Sequence, residues 1–236
     1  EVIVCDKHPN YESTKFALQL KQQNPKIELV QIQHHYAHVL SVMAEYKLNK
    51  EVLAFIFDGT GYGDDGYIWG GEVFVASKEK YKRANHFKYF KLLGSDMAIR
   101  EPKRVALSLL FDNFTLEEVL NMQTASVKAF KESEIKMLYT MWQKGLNSPL
   151  TSSVGRLFDA VASFADILHI QSYEGEAGLL IEQHYDKAVL ESYTYKINEE
   201  NIDISPMIKE MILDIDVKVI CSKFINTMVQ IVLDIS

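Results

Sequence analysis

Three of the seven histidines fall within one short run, His34-His35-Tyr36-Ala37-His38. On a helix, residues four apart share a face, with Cβ atoms about 5–6 Å apart. His34 and His38 can then grip one divalent cation through imidazole nitrogens, while His35 projects roughly 100° away. The same spacing also describes a polar helix end with solvated histidines. Asp58 adds a carboxylate after the apolar run Val52-Leu53-Ala54-Phe55-Ile56-Phe57. That run has a buried-strand pattern, and parallel-sheet proteins place ligands at the carboxyl ends of their strands. Two imidazoles and a carboxylate make an iron or zinc site with an open position. Taken alone, Asp58 is equally a turn residue bonding its own backbone, and periodicity does not by itself bring it to His38.

The segment Asp58 to Gly66 has a second candidate role, because four of its nine residues are glycine. Glycines let backbone N–H groups approach an anion closely and cradle a phosphate, and Thr60 adds a hydroxyl. A flexible hairpin turn has the same composition. Gly70 and Gly71 interrupt the next extended run, which signals close approach by a ligand or another backbone. Ile99-Arg100-Glu101-Pro102-Lys103-Arg104 opens a helix with proline near its first turn. Arg100, Lys103 and Arg104 there face either an anion or solvent. In Thr151 to Ala160, Ser152 or Ser153 is a good N-cap, and Gly155 allows close approach at the positive end of a helix. Asp159 continues that largely apolar helix, where a carboxylate needs a partner such as a ribose hydroxyl unless it lies on a polar face. Tyr173-Glu174-Gly175-Glu176-Ala177-Gly178 leads into another helix, as a nucleotide contact or as a plain loop.

The elements that must position these residues follow from hydrophobic periodicity. Strands are predicted over 1–5 and 26–31, and helices over 11–23 and 34–46. This strand–helix–strand–helix order calls for a parallel sheet with crossover helices. A buried strand at 52–57 ends in the Gly- and Asp-rich turn, and extended runs at 67–77 and 81–90 complete an antiparallel meander. Helices are predicted at 102–111, 115–122, 132–143, 153–168 and 174–188, a strand at 192–197, and two last helices at about 205–214 and 216–234. No internal repeat or low-complexity linker is present.

The 236 residues permit one large domain or two modest lobes around a cleft. A net charge of −7 argues against a broad nucleic-acid-binding surface but leaves room for a local basic pocket. Cys5 and Cys221 cannot build a disulfide framework or a four-cysteine zinc site. The longest apolar stretch, Val217 to Leu233, carries Lys218 and Lys223, so no run matches the roughly 20 apolar residues of a membrane span. With no secretory signal, a cytoplasmic setting is expected, without nucleic-acid or membrane partners. The chain opens on a strand pattern without a methionine and stops just past a helical pattern, so it is expected to be a fragment.

Together these segments resemble the hydrogenase-maturation carbamoyltransferases of the HypF family. The likeness rests on His34-His35-Tyr36-Ala37-His38, on Phe57 to Gly66, and on Ile68-Trp69-Gly70-Gly71-Glu72. It continues through Ala98-Ile99-Arg100-Glu101-Pro102, Ser152 to Ala162 and Tyr173 to Ala177, in order and spacing, and is least clear after about residue 190. The resemblance implies an α/β fold of the actin-like ATPase (ribonuclease H-like) type, with duplicated lobes, incomplete here and carrying a helical insertion. Residues 1–48 would end the first lobe. Residues 49–236 would form the second lobe with its helical insertion, its C-terminal part missing, and Asp58 to Gly66 as the phosphate hairpin.

The implied reaction moves a carbamoyl group from carbamoyl adenylate to the C-terminal cysteine thiol of a partner, HypE, for the cyanide ligands of nickel–iron hydrogenase. Carbamoyl phosphate and ATP would enter through an upstream domain. By position, His34, His38 and Asp58 are the implied ligands of a divalent metal, iron or zinc, with magnesium a further candidate. Asp58, Gly59, Thr60 and Gly61 would lie against phosphate, Asp159 and Gly175 near the nucleoside, and Arg100 would steer the anionic intermediate. The family's Gly-Gly-Val-Phe-Gln-Asn segment and the late aspartate of its metal site lie beyond this chain, and Leu180 stands where the family has glutamate. Two other readings are a small-molecule O-carbamoyltransferase and an inactive nucleotide-binding or interaction module.

Overall fold

The computed structural model describes residues 1–236. The chain begins with β1 (Val2–Asp6), α1 (Glu12–Gln23), β2 (Glu28–Ile32) and α2 (His34–Glu45). β1 and β2 pair in parallel, Val4 opposite Val30, as the alternating pattern requires. β3 (Val52–Tyr62), β4 (Ile68–Ala76) and β5 (Tyr81–His86) form the antiparallel meander. Two short strands, β6 (Phe90–Lys91) and β7 (Leu150–Thr151), extend the sheet, β7 pairing parallel to β4 at Ile68.

The helical part comprises α3 (Asp96–Arg100), α4 (Pro102–Asn113), α5 (Leu116–Asn121), α6 (Ala125–Lys128), α7 (Glu132–Lys144), α8 (Val154–Phe164) and α9 (Glu176–Gln183). A minimal ribbon of β8 (Lys196–Ile197) and β9 (Ile202–Asp203) then precedes α10 (Ser205–Met211) and α11 (Val217–Ile235). No helix is long and apolar enough to cross a membrane. The fold is α/β, with a helical section inserted between β6 and β7.

Local chemistry fixes the helix ends nearest the site. Pro102 opens α4, where its missing N–H costs nothing. Ser153 caps α8 by accepting the Arg156 N–H at 3.2 Å. Helices α8 and α9 are shorter than the periodicity suggests. Asp166 in the left-handed region breaks the first, and the second waits for Gly175, whose φ is +87°.

Two hydrophobic clusters hold the elements. The larger centres on α4 and α8, with Val105, Leu107, Leu110, Leu157 and Val161 buried. The smaller joins α2 to the β3–β4 hairpin through Tyr36, Val39 and Met43 against Ile56, Trp69 and Phe74. Each fully buried side chain of this kind contributes about 1.5–3 kcal/mol. The burial also fixes the rotation of α2, so that its first turn faces β3.

The predicted turn at 58–66 is corrected. β3 continues to Tyr62, and the reversal is Gly63 to Tyr67, closed by Gly63 N–H to Tyr67 O at 2.9 Å. The register shifts inside β3, where Phe57 pairs Gly71 and Gly61 pairs Trp69. Asp58, Gly59 and Thr60 therefore face Gly70 alone, as an extended bulge that pushes Asp58 out of the ladder. The predicted strand at 81–90 is likewise broken between His86 and Phe90, and that at 192–197 shrinks to two residues.

The bulge is braced by backbone contact. A Cβ at Gly70 would meet Asp58 O at 2.5 Å, and a Cβ at Gly155 would meet Gly59 Cα at 2.8 Å. Gly155→Ala is therefore expected to lower stability by about 1–3 kcal/mol. Gly178→Ala should be neutral or stabilising by about 0.5–1 kcal/mol, because the nearest atom to its Cβ is 3.9 Å away. Urea denaturation midpoints measure both, and equal effects would contradict the close packing of α8 on the bulge.

Candidate functional site

The bulge and the first turn of α2 meet at Asp58. His34 Nε2 lies 3.3 Å from Asp58 Oδ2, His35 Nε2 3.5 Å and His38 Nε2 3.7 Å. One ligand atom each from His34, His38 and Asp58 falls within 4.8 Å of the others. Asp58 Oδ1 accepts its neighbour's N–H, from Gly59 at 2.6 Å, while Oδ2 is buried with no hydrogen-bond partner. A buried carboxylate oxygen facing imidazoles without a bond is a place for a cation.

The three imidazoles differ in environment. His34 Nδ1 pairs with Asp6 Oδ2 at 2.8 Å, so Nε2 is turned toward Asp58, the carboxylate–histidine arrangement common behind metal ligands. Asp58, and then Asp6 on the other side, outweigh burial and push His34 up to about 9. Burial opposes ionisation of Asp58, yet His34 and the Gly59 N–H hold its carboxyl below the usual range. His35 is fully buried, and that burial pushes it down to about 4, so its ring is neutral. His38 is the exposed member, its Nε2 3.3 Å from that of His34.

His35 adds a third imidazole to the expected cluster. Its side chain does leave the helix in a different direction from His34, but β3 wraps past that face and brings Asp58 within reach. Gly61 makes this possible, since a Cβ there would lie 2.7 Å from His35 Nε2 and 3.0 Å from His34 Cδ2. Gly61 is therefore a seat for the imidazoles.

Beyond the bulge, β3, α8 and the approach to α9 meet around Gly59. A Cβ at Gly59 would meet Glu174 Oε1 at 3.0 Å and Arg156 Nη2 at 3.7 Å. Arg156 Nε and Asp159 Oδ2 are 3.0 Å apart and nearly inaccessible, but their off-line approach leaves neither hydrogen-bonded. Arg156 Nη1 is also unpartnered. Burial pushes Asp159 up to about 7, with Arg156 opposing and Glu174 reinforcing the shift. Gly175 caps α9 with open space around it, and Thr60 is half-buried in the bulge.

The sequence-predicted residues therefore divide. His34, His38 and Asp58 converge, and Gly59 leads from them to Arg156 and its buried neighbour Asp159. Arg100 makes no side-chain bond to them; it is exposed at the end of α3, and its carbonyl accepts the Gln171 N–H at 2.9 Å. Lys103 bonds Ala129 O at 3.2 Å, and Arg104 pairs with Glu101 at 2.6 Å. Sequence reading gave no role to Asp6, Gln33 or Arg156, and took Glu174 only within a stretch read as a nucleotide contact or a plain loop. Asp6 ends a parallel strand, as the argument for Asp58 required, and Arg156 stands three residues before Asp159 on one helix face.

The pH dependence of the metal-free chain follows from His34. Between the ordinary 6.5 and about 9 the folded state holds a proton that the unfolded chain releases. The His34 contribution is complete below about 6.5 and is lost as pH rises toward about 9. Urea midpoints are expected to fall across that window, and His34→Asn to flatten the fall; identical slopes would contradict the pairing.

Two family models match, "HypF Kae1-like domain" over residues 1–45 and "Carbamoyltransferase, Kae1-like Domain, second subdomain" over residues 54–236. The carbamoyltransferase HypF of Synechocystis is 35% identical over 99% of this chain and 32% of its own length. The probable carbamoyltransferase HypF of Methanocaldococcus jannaschii is 34% identical over 91% of this chain and 26% of its own. Crystal structures agree. Full-length HypF in a phosphate- and nucleotide-bound form superposes with a TM-score of 0.87 at 31% identity, over 100% of this chain and 30% of that one. HypF of T. kodakarensis superposes at 0.81 and 31% identity, over 94% of this chain and 30% of its own. The chain spans about a third or less of these relatives, and over that span it belongs to the HypF carbamoyltransferase family, as a Kae1-like α/β region.

Proposed function

We propose that this chain is the carbamoyl-transfer part of a hydrogenase-maturation enzyme, moving a carbamoyl group from carbamoyl adenylate to the C-terminal cysteine thiol of a HypE-like partner. Carbamoyl phosphate and ATP enter through a separate adenylate-forming domain. The thiol proton passes to solvent, the thiolate sulfur forms a C–S bond at the carbamoyl carbon, the C–O bond to the adenylate phosphate breaks, and AMP leaves with that electron pair. What supports this reading most is that the His34–His38–Asp58 cluster is joined through Gly59 to the buried Arg156 and Asp159, whose Nε, Nη1 and Oδ2 atoms lack hydrogen-bond partners.

The donor set fits a divalent iron or zinc ion, with two imidazole nitrogens and a carboxylate oxygen that lacks a partner. Magnesium, which favours oxygen ligands, suits it less. His34, His38 and Asp58 would hold the ion, and when bound it stabilises negative charge building on the carbamoyl oxygen.

The rest of the work falls to the protein. Asp6 keeps the His34 proton on Nδ1 and the other nitrogen turned inward. The N–H groups of the bulge and the Arg156 guanidinium offer donors to the adenylate phosphate. Asp159, buried beside Arg156, suits a ribose hydroxyl, and Gly175 leaves the approach open. Arg100, outside the cluster, is left with at most long-range steering of an anion. Adenylate is a good leaving group, so orientation and exclusion of water carry most of the burden.

The test uses the full-length protein with carbamoyl phosphate, ATP and a cysteine-tailed partner, read by intact mass. The partner is expected to gain one carbamoyl group at its terminal cysteine. His38→Ala should lower the rate by about 10²-fold, the scale of losing one charge-stabilising group. Carbamoylation of a small hydroxylated molecule in place of the thiol, or unchanged transfer by His38→Ala, would contradict the proposal.

A further inference from the structure

His35 Nε2 and Asp58 Oδ2 are both buried, both without a hydrogen-bond partner, and 3.5 Å apart. What stands between them depends on which His35 nitrogen carries the proton, and hydrogen-bond accounting around Gln33 answers this. The Gln33 side chain is buried. Its Oε1 accepts the Tyr36 N–H at 2.8 Å, which caps α2. Its Nε2 lies 3.1 Å from Tyr62 O and 3.1 Å from His35 Nδ1.

The amide cannot be reversed. Flipping it would set its NH2 against the Tyr36 N–H and its oxygen against the Tyr62 carbonyl, two losses at once. Both amide hydrogens are therefore committed, one to Tyr62 O and one to His35 Nδ1. An Nδ1 that accepts cannot also carry hydrogen in a neutral ring, so the proton is on Nε2. Nε2 then has no lone pair to give a cation. The ring is pinned as well, because Gly61 packs against its Cε1 and Nε2 edge.

We infer that His35 is a positioning residue, locked by Gln33 as the Nε2–H tautomer, which orients the Asp58 carboxylate behind the cation without binding the cation itself. Roughly 0.5 Å of closure, with the N–H turned in line with Oδ2, makes the 3.5 Å approach a hydrogen bond. The Gly59 N–H on Oδ1 and the His35 N–H on Oδ2 then fix the plane of the carboxylate. One lone pair of Oδ2 remains, directed toward His34 and His38. The inference rests on the cation-site reading above and deepens it, separating a two-imidazole site from a three-imidazole one.

Two measurements on the purified chain test it. The first is the long-range imidazole nitrogen–proton NMR spectrum of the metal-free protein, which reads each tautomer directly. His35 is expected as Nε2–H; protonation on Nδ1 overturns the inference. The second is competitive titration with zinc(II) of the parent, His35→Gln and His35→Leu, alongside thermal melting. Glutamine keeps an N–H donor near the Nε2 position and is expected to bind within about threefold of the parent, whereas leucine removes the donor and should weaken binding by about 10–100-fold, the usual scale for groups behind a ligand. Equal loss in both folded variants would make His35 a ligand, and no loss in His35→Leu would make it a core residue only; either overturns the inference. Should His35→Leu fail to fold, the tautomer spectrum still decides. Neither readout involves turnover, so loss of carbamoyl transfer with normal zinc binding counts against the proposed reaction alone.

Discussion

Without a cation, Asp58 and His34 hold one another charged in a half-buried place, and a cation bound there takes the position of the His34 Nε2 proton. Desolvation penalises the Asp58 carboxylate, and it ionises because an imidazole and a backbone N–H face it. The His34 imidazole stays protonated because carboxylates flank it on both sides, Asp58 at 3.3 Å and Asp6 at 2.8 Å. Remove either charge and the other is stranded, which costs more than the pair itself contributes. The elements around this pair are arranged to keep it. Tyr36, Val39 and Met43 set the rotation of α2, and the bulge in β3 lifts Asp58 out of the ladder toward it.

The bulge needs its own support, because three residues of β3 face a single glycine. That support comes from Glu72, which is fully buried. Its Oε1 accepts the Gly70 and Gly71 N–H groups at 3.2 and 3.3 Å and the Ser152 hydroxyl at 2.5 Å. Its Oε2 meets Arg83 Nε at 2.5 Å. Arg83 in turn lies over the Trp69 ring, 4.0 Å from its centroid. A buried carboxylate with this many donors is satisfied, and it joins β4 to the residues that lead into α8. Ser153, next in the chain, reaches the Asp58 and Gly59 carbonyls at 2.8 and 2.7 Å. Hydrogen bonds thus run from the core of the sheet to the Asp58 backbone.

Much of this was legible in the sequence because the signals were local. The i, i+4 histidines, the apolar run before Asp58, Pro102 and Ser153 at helix starts, and the alternation that gave a parallel β1–β2 pair all depend on neighbours in the chain. The failures were of another kind. The glycine-rich stretch read as a turn because glycine serves a turn, a bulge and a close contact equally well. Only Gly70 and Trp69, on another strand, distinguish them. Asp6, Gln33 and His35 were missed because their importance arises from His34, Tyr62 and Asp58 respectively, each more than twenty positions away.

The account reduces to one spatial claim, that a cation is held between the first turn of α2 and the bulge of β3. Anomalous diffraction from crystals of the chain grown with zinc or iron(II) tests it directly. The account predicts a single strong peak bonded to His34 Nε2, His38 Nε2 and Asp58 Oδ2, with His35 Nε2 beside Asp58 and outside bonding distance of the metal. A peak elsewhere, or one bonded to His35, would contradict it.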